Sequence, residues 1–404
     1  MASSVTIDNH VFQEHLFEKV ASKVREMVQW FLNRVMQEEQ MLFLGCMGYE
    51  RTTVRRGYRN GYDNRRLDTQ WGSIHLRVPK VRNTLQPFRT RVFDRYRRRQ
   101  GRLDKLVEQW MAFGMSTRKA GHALHNAFDC LVSPETVSRI IAELDEEIAA
   151  FHTRPFEKGY RYLFLDAKHG CIKRSGRRSR RGRKGRAVLL LAWGIDHRGK
   201  EELVDFRVAP GEDEASWTAF LTDLEARGLR AENRWAEKLE MIISDDAGGI
   251  EAALGTVYPT VPRQLCIFHK LQNIATHLHD RKHRKAILAD AAKIYRGLAT
   301  VQQARGRLRR WARRWYDSEP EAVEQFVAAF ESTLRHLAAG PEFMKRVGTN
   351  NPIERFIREL TRRFNTMGAF ANARSWERAT LLMWKHLKLA GYPHSSQSQF
   401  TRNS

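Results

Sequence analysis

Two short apolar runs in this chain each stop on an aspartate. YRYLFLDA carries Asp166 directly after Leu163, Phe164 and Leu165; KLEMIISD carries Asp245 after Met241, Ile242 and Ile243, with only Ser244 between. Short apolar runs of this kind read as buried strands. An acidic side chain at the end of one is costly to desolvate unless it is paired or binds a cation. AVLLLAWGI and EELVDFRVAP are two further strand-like runs; a helical pattern covers Glu214 to Arg227, and RQLCIF follows as a fifth strand. Three strands in a meander, a helix and more strands make an α/β pattern, and open sheets bind ligands beyond their strand ends. One strand-end aspartate is usually a turn or cap residue, whereas two in adjacent strands can hold hard cations such as Mg²⁺. A helix crossing that end can supply a third carboxylate. Glu354 in TNNPIERFIREL fits, because Pro352 fixes a helix start and puts Glu354 in the first turn.

The charge balance narrows the partners. Of 404 residues, 70 are Lys or Arg against 46 Asp or Glu, a net charge of +24. Such a field attracts polyanions, although ribosomal proteins, nucleases and membrane-surface proteins share it. The hydrophobic fraction of 42% supports a sizeable core. Four dispersed cysteines argue against a disulfide scaffold and for a reducing compartment. The start has no signal-peptide pattern, and apolar runs such as MLFLGCMGY are too short to span a bilayer. A cytoplasmic, nucleoid-associated protein with no membrane partner is therefore expected.

The N-terminal part reads as a mostly helical region with a small hairpin. Phe12, Leu16, Val20, Val24, Val28, Phe31, Leu32 and Val35 form an apolar stripe on one helix from Val11 to Met36, suited to core packing or to self-association. Residues 51–102 hold 16 Lys/Arg against three Asp and no Glu. Within them, apolar residues alternate on both sides of Gly72 as in a hairpin. Tyr58, Tyr62 and Tyr96 among the arginines suit a DNA-contacting arm, though a solvated basic linker has the same composition. Ser116 and Ser133 read as N-caps of two successive helices. Such a helix-turn-helix would turn Ser133, Thr136, Ser138 and Arg139 to a DNA groove; two packed helices without DNA contact fit equally.

Several segments together resemble bacterial insertion-sequence transposases of the Mutator type. They are FLDA at Asp166, SDDAGGI at Asp245, RQLCIFHKLQNI with its Cys266-x-x-His269, and TNNPIERFIRELTRRFNTMGAF at Glu354, with RNGYDNRRLDTQWGSIHLRVPKVR, GMSTRKAGHALH and VSPETVSRI upstream. The match runs in order over roughly residues 50 to 390. The resemblance implies an RNase H-like catalytic core whose DDE triad is Asp166, Asp245 and Glu354. It also implies a helical insertion in the 109 positions between the last two. The family pattern S-D-x-x-x-G-I selects Asp245 over Asp246, so Asp246→Asn is expected to be mild. Glu359 lies ~140° around the helix from Glu354. The expected division is a helical segment 1–50, a DNA-binding region 51–155, catalytic core 156–269, insertion 270–345, core helices 346–392 and a disordered tail 393–404.

The implied activity is DNA cleavage and strand transfer at the terminal inverted repeats of an insertion sequence. Two Mg²⁺ or Mn²⁺ ions on the three carboxylates would activate an attacking oxygen and stabilise a leaving one. Double-stranded DNA is the expected partner, bound by a homo-oligomer that is at least a dimer. Arg355, Arg358 and Arg362 share the Glu354 helix and could clamp phosphates. Lys173 to Arg186 carries nine Lys/Arg in fourteen residues; Arg177, Arg178, Arg180 and Arg181 there are expected to grip DNA without base preference. A lone cysteine is a poor start for a zinc site; the resemblance implies a structural role near the active site for Cys266 and His269, and Cys266 is expected to be buried in a strand. The competing readings are an inactive or domesticated transposase acting as a DNA-binding regulator, and a nucleic-acid chaperone. A chaperone would not require strand-end carboxylates.

Overall fold

The computed structural model describes residues 9–92, 101–130, 132–173, 184–233, 236–389 and 391. Arg177, Arg178, Arg180 and Arg181, Tyr96 and the tail 393–404 lie outside the described residues. The chain divides into two compact units, Met1–Met111 with Met115–Ala142, and Ala112–Gly114 with Glu143–Ser404.

In the first unit, α1 (Asn9–Leu44) is longer than its apolar stripe predicts. Strands β1 (Tyr58–Thr69) and β2 (Gly72–Arg82) form an antiparallel hairpin with Leu67 opposite Ile74 and Thr69 opposite Gly72. Gly72 takes φ +110°, a conformation that L side chains rarely adopt. The hairpin extends through NGYDNRR, so this basic stretch is strand rather than a loose arm. Met36, Leu67, Ile74 and Leu76 form the core between helix and hairpin, with Val28 and Leu32 against it. The stripe is only partly used, since Leu16, Val20 and Phe31 stay exposed. Then follow α2 (Gly101–Ala112), α3 (Thr117–Phe128) and α4 (Pro134–Ala142). Both expected caps are made: Ser116 accepts from Lys119 N at 3.3 Å, and Ser133 from Thr136 N at 3.2 Å. Val137, Ile140 and Ile141 are buried, which leaves Ser138 and Arg139 on the open face of α4.

The second unit opens with α5 (Asp145–Thr153). Its sheet comprises β3 (Tyr160–Lys173), β4 (Lys184–Asp196), β5 (Glu201–Ala209), β6 (Met241–Ser244) and β7 (Arg263–Leu265). The strand order is β5-β4-β3-β6-β7, antiparallel from β5 to β3 and parallel from β3 to β7. One face is covered by α6 (Glu214–Ala226) and α7 (Gly248–Val257). There Leu163, Leu165, Leu190 and Ile242 meet Trp217, Phe220, Leu221 and Ile250. The chain continues through α8 (Ile267–Ile274), α9 (Arg284–Tyr295), α10 (Val301–Trp315), α11 (Pro320–Ala328) and α12 (Pro341–Val347). Much of this helical stretch has its own core, with Ile287, Ile294, Leu308, Trp311, Val323 and Phe326 at its centre. The closing helices are α13 (Asn351–Met367) and α14 (Ala373–Leu389). They cover the other face, where the Trp193 ring lies 5.6 Å from Phe356 and 5.4 Å from Trp384. Each such buried aromatic stabilises by about 2–3 kcal/mol.

Two expectations about strand limits are corrected. β3 does not end at Asp166 but runs on to Lys173 as a ribbon with β4, Asp166 facing Leu191. Only its parallel pairing with β6 stops earlier, at Phe164 opposite Ile243. Cys266 is not in a strand: β7 ends at Leu265, and Cys266 is the N-cap residue of α8. The apolar run continues across that boundary because α8 buries Lys270 and Ile274 at helical spacing.

Candidate active site

Strand alternation decides where Asp166 points. It shares parity with Phe164, whose cross-strand partner Trp193 packs on Phe356 of α13. The carboxylate therefore lies on the face that α13 covers, and Glu354 stands in the first turn of that helix. Asp245 follows β6 directly. Asp166 is 8% exposed, and Ala167 N donates to its Oδ1 at 2.7 Å. Burial pushes its pKa up to about 8; the Ala167 N–H opposes this, while the negative charges of Asp245, Glu354 and Glu212 raise it further. Asp245 and Glu354 thus both lie within electrostatic reach of Asp166.

Glu212, on the loop between β5 and α6, is a fourth carboxylate that the sequence reading missed. Burial raises its pKa, as does the Asp245 charge, against the pull of His169, whose Nε2 lies 3.0 Å from Glu212 Oε2. Gly249 explains how this loop reaches the site. A Cβ there would sit 2.9 Å from Glu212 O and from Asp213 C. The α7 start thus packs flush on the Glu212 backbone, four residues past Asp245.

The neighbouring acids are otherwise engaged. Asp246 Oδ2 is 3.0 Å from Nζ of Lys270, a lysine only 5% exposed. Glu359 pairs with Arg363 and, at 2.8 Å, with Arg362. Arg355 reaches Glu201 at 3.4 Å. Arg358 is exposed with no ion-pair partner among the described residues.

Asn350, fully buried, ties the site's elements together. Its backbone N–H donates to Cys266 Sγ at 3.3 Å and its side-chain amide to Leu165 O at 3.3 Å. Cys266 N in turn donates to Ser244 O at 2.8 Å. The strand before Asp166, the strand before Asp245 and the start of the Glu354 helix are joined by these three bonds. The only sequence signal for Asn350 was its place in TNNP. Burial pushes the Cys266 thiol up to about 11, its backbone N–H donors notwithstanding, so it is a neutral packing group at neutral pH.

The donor set fits a cation. Glu354 Oε1, His269 Nδ1 and Asn350 Oδ1 are buried without a hydrogen-bond partner. His269 Nε2 lies 3.8 Å from Glu354 Oε1. Ligand atoms of Cys266, His269 and Glu354 all fall within 4.8 Å of one another. Asp166, nine-tenths buried, with the charges of Asp245, Glu354 and Glu212 acting on it, is the kind of carboxylate that oxygen-seeking divalent ions neutralise.

In the first unit, Arg139 is exposed and donates to Thr136 Oγ1 at 3.1 Å. Among the described residues no helix is long and apolar enough to cross a membrane.

Sequence comparison matches residues 2–388 to the family described as "Transposase, Mutator family". The chain is 30% identical over 352 residues to the transposase for insertion sequence element ISRM5 of Rhizobium meliloti, covering 87% of this chain and 84% of that one. It is 30% identical over 359 residues to the transposase for element IS406 of Burkholderia multivorans, with 88% of each chain covered. The transposase for element IS256 in transposon Tn4001 of Staphylococcus aureus is 28% identical over 349 residues, 86% and 85% of the two chains.

Proposed function

The chain belongs to the Mutator family of transposases, and from that premise we propose that it cuts and joins DNA at the ends of an insertion sequence with Asp166, Asp245 and Glu354 as its catalytic carboxylates. The observation that carries the reading is that buried Asp166, on one strand, feels the charges of Asp245 after the adjacent strand and of Glu354 at a helix start, with Glu354 Oε1 buried and partner-less. The sheet, a three-stranded meander continued by two parallel strands and covered by helices on both faces, supports assigning it to the RNase H-like class.

Asp166, Asp245 and Glu354 would hold two Mg²⁺ or Mn²⁺ ions, and Glu212 adds negative charge beside them. Bound divalent ions lower the pKa of an attacking water and stabilise the departing oxygen. The protein's own part is to fix the ligands before DNA arrives. Asn350 locks the Glu354 helix to the strand of Asp166, Gly249 seats the Glu212 loop, and Lys270 holds Asp246 aside. This preorganisation keeps the reaction from having to assemble its ligands.

Recognition of the terminal repeats falls to α3 and α4, with Ser138 and Arg139 on the open face of α4. Arg358, and Arg355 and Arg362 once released from Glu201 and Glu359, would contact phosphates. The segment 174–183, with Arg177, Arg178, Arg180 and Arg181, would add a clamp without base preference. Joining two element ends calls for at least a dimer on DNA. The test is a strand-transfer assay with labelled element ends: products that form with Mg²⁺ and vanish with EDTA support the reading. End binding with no cleavage in either Mg²⁺ or Mn²⁺ would instead make the protein a DNA-binding regulator.

A further inference from the structure

Helix α10, VQQARGRLRRWARRW, carries six arginines and no acidic residue. Leu308, Trp311 and Trp315 are buried, which fixes the face it turns outward. Basic helix faces are usually just solvated, but this one borders a cleft. A cavity of about 380 Å³ opens between α9 and α10, lined by Asp290, Lys293, Arg307, Arg310 and Arg314 over the Trp311 ring. Four cations therefore face one carboxylate. That carboxylate is already shared, Oδ1 lying 2.8 Å from Lys293 Nζ and Oδ2 3.0 Å from Arg314 Nη1. Arg307 donates to the carbonyls of Lys293, Ile294 and Arg296 at the C-terminal end of α9, at 3.3, 3.2 and 2.5 Å. Those acceptors orient the guanidinium and carry no formal charge of their own. Arg310 is exposed at the cleft, and Arg309 and Arg313 are exposed beyond it.

We propose that the cleft between α9 and α10 is a second DNA site, which binds the phosphate backbone of a duplex without reading its bases. Its chemistry is that of phosphate: fixed guanidiniums, a surplus of positive charge and a concave wall. Arg307 to Arg314 spans ~10 Å of helix, about the rise of three nucleotides along a strand. Arg307 and Arg314 are held before DNA arrives, so little side-chain entropy is lost on binding. Helix α9 is tied to the sheet through Thr333, whose Oγ1 lies 2.8 Å from the Tyr295 hydroxyl at the end of that helix and whose carbonyl accepts from Gln264 of β7 at 2.9 Å.

This inference rests on the transposase reading, and its test separates the two. Binding of the full chain is measured against salt for wild type, Arg310→Ser/Arg314→Ser, and Arg310→Lys/Arg314→Lys, on duplexes with the element end alone, the end plus flanking DNA, and an unrelated sequence. Thermal melts check folding of each variant. Losing two phosphate contacts should flatten the slope of log affinity against log salt by about 1.8, which is roughly eightfold in affinity per contact at 0.1 M salt. The Ser variant should lose affinity equally for matched and unrelated sequences of the same length, with the Lys variant largely restored. A loss confined to duplexes with flanking DNA assigns the cleft to the flank. A loss confined to capture of a second duplex by end-bound protein assigns it to target DNA. An unchanged slope in a folded Ser variant on every duplex that wild type binds, with capture of a second duplex also unchanged, overturns the cleft while leaving the transposase reading intact. Failure of wild type to bind any of these duplexes would instead overturn that reading.

Discussion

Replacing Asp166 by Asn should stabilise the metal-free protein, although most substitutions of buried polar residues destabilise. Burial and the charges of Asp245, Glu354 and Glu212 push the folded-state pKa from 3.8 to about 8. Between those values the folded chain holds a proton that the unfolded chain has released. Unfolding then releases a proton, and stability falls as pH rises through the window. At 1.36 kcal/mol per unit, the penalty is about 1.5 kcal/mol at pH 5 and about 4 kcal/mol at pH 7. Asparagine carries no charge, can still accept from Ala167 N, and offers its amide to the surrounding carboxylates. Urea unfolding in EDTA at both pH values, followed by tryptophan fluorescence, measures the gap. The variant should be more stable than wild type, by an amount that grows from pH 5 to pH 7. Mg²⁺ at a hundredfold its Kd should then stabilise wild type by about 2.7 kcal/mol and the variant far less. A variant no more stable than wild type at either pH, or a gap that shrinks as pH rises, would refute the reasoning.

Three further outcomes follow from single contacts. Asp246→Asn removes the counter-charge of buried Lys270 but keeps an acceptor for it, and should cost about 1–3 kcal/mol in a denaturation assay, while strand transfer per folded molecule stays near wild type. The mild effect expected from sequence thus applies to chemistry and not to stability. Cys266→Ser exchanges a buried, neutral thiol bonded by Asn350 N for a hydroxyl and should lower stability by about 1–2 kcal/mol. Stoichiometric zinc in the purified wild type, lost in this variant, would contradict that structural role. Glu319 is fully buried and accepts from His279 N, Asp280 N and His283 Nδ1. Burial raises its pKa, but the His283 and backbone bonds outweigh this and hold it below the usual value of 4.5. Its contribution is therefore present above pH 4.5 and lost as pH falls through the lower folded value. Glu319→Gln should cost about 2 kcal/mol at pH 7 and less at pH 3 in the same unfolding assay.

Local pattern carried the strands, the helix caps and the strand-borne aspartates, because apolar period and capping chemistry act over a few residues. Ser116 and Ser133 cap where their spacing predicts. The boundary at Cys266 was not legible, since an apolar run looks alike in a strand and on the inner face of a helix. The length of β3 was not legible either, because past Asp166 it is held by pairing with β4 rather than by its own hydrophobicity. Glu212 lies 33 positions before Asp245 in the chain, and only the packing of Gly249 on its backbone brings it to the carboxylates. The roles of Lys270 and Asn350 depend in the same way on contacts between distant segments. Leu16, Val20 and Phe31 of the α1 stripe stay exposed, so periodicity gave a helix but not what covers it.

The most direct test of the central claim measures strand transfer of a labelled element end in Mg²⁺, with end binding and folding checked in parallel, for Asp166→Asn, Asp245→Asn, Glu354→Gln and Asp246→Asn. If Asp166, Asp245 and Glu354 hold the metal, the first three should each lose cleavage and joining by a thousandfold or more, the order of magnitude of losing a metal-held nucleophile. All three should still bind the end with near wild-type affinity, and Asp246→Asn should keep its chemistry. Near-normal strand transfer by any one of the first three would contradict the assignment.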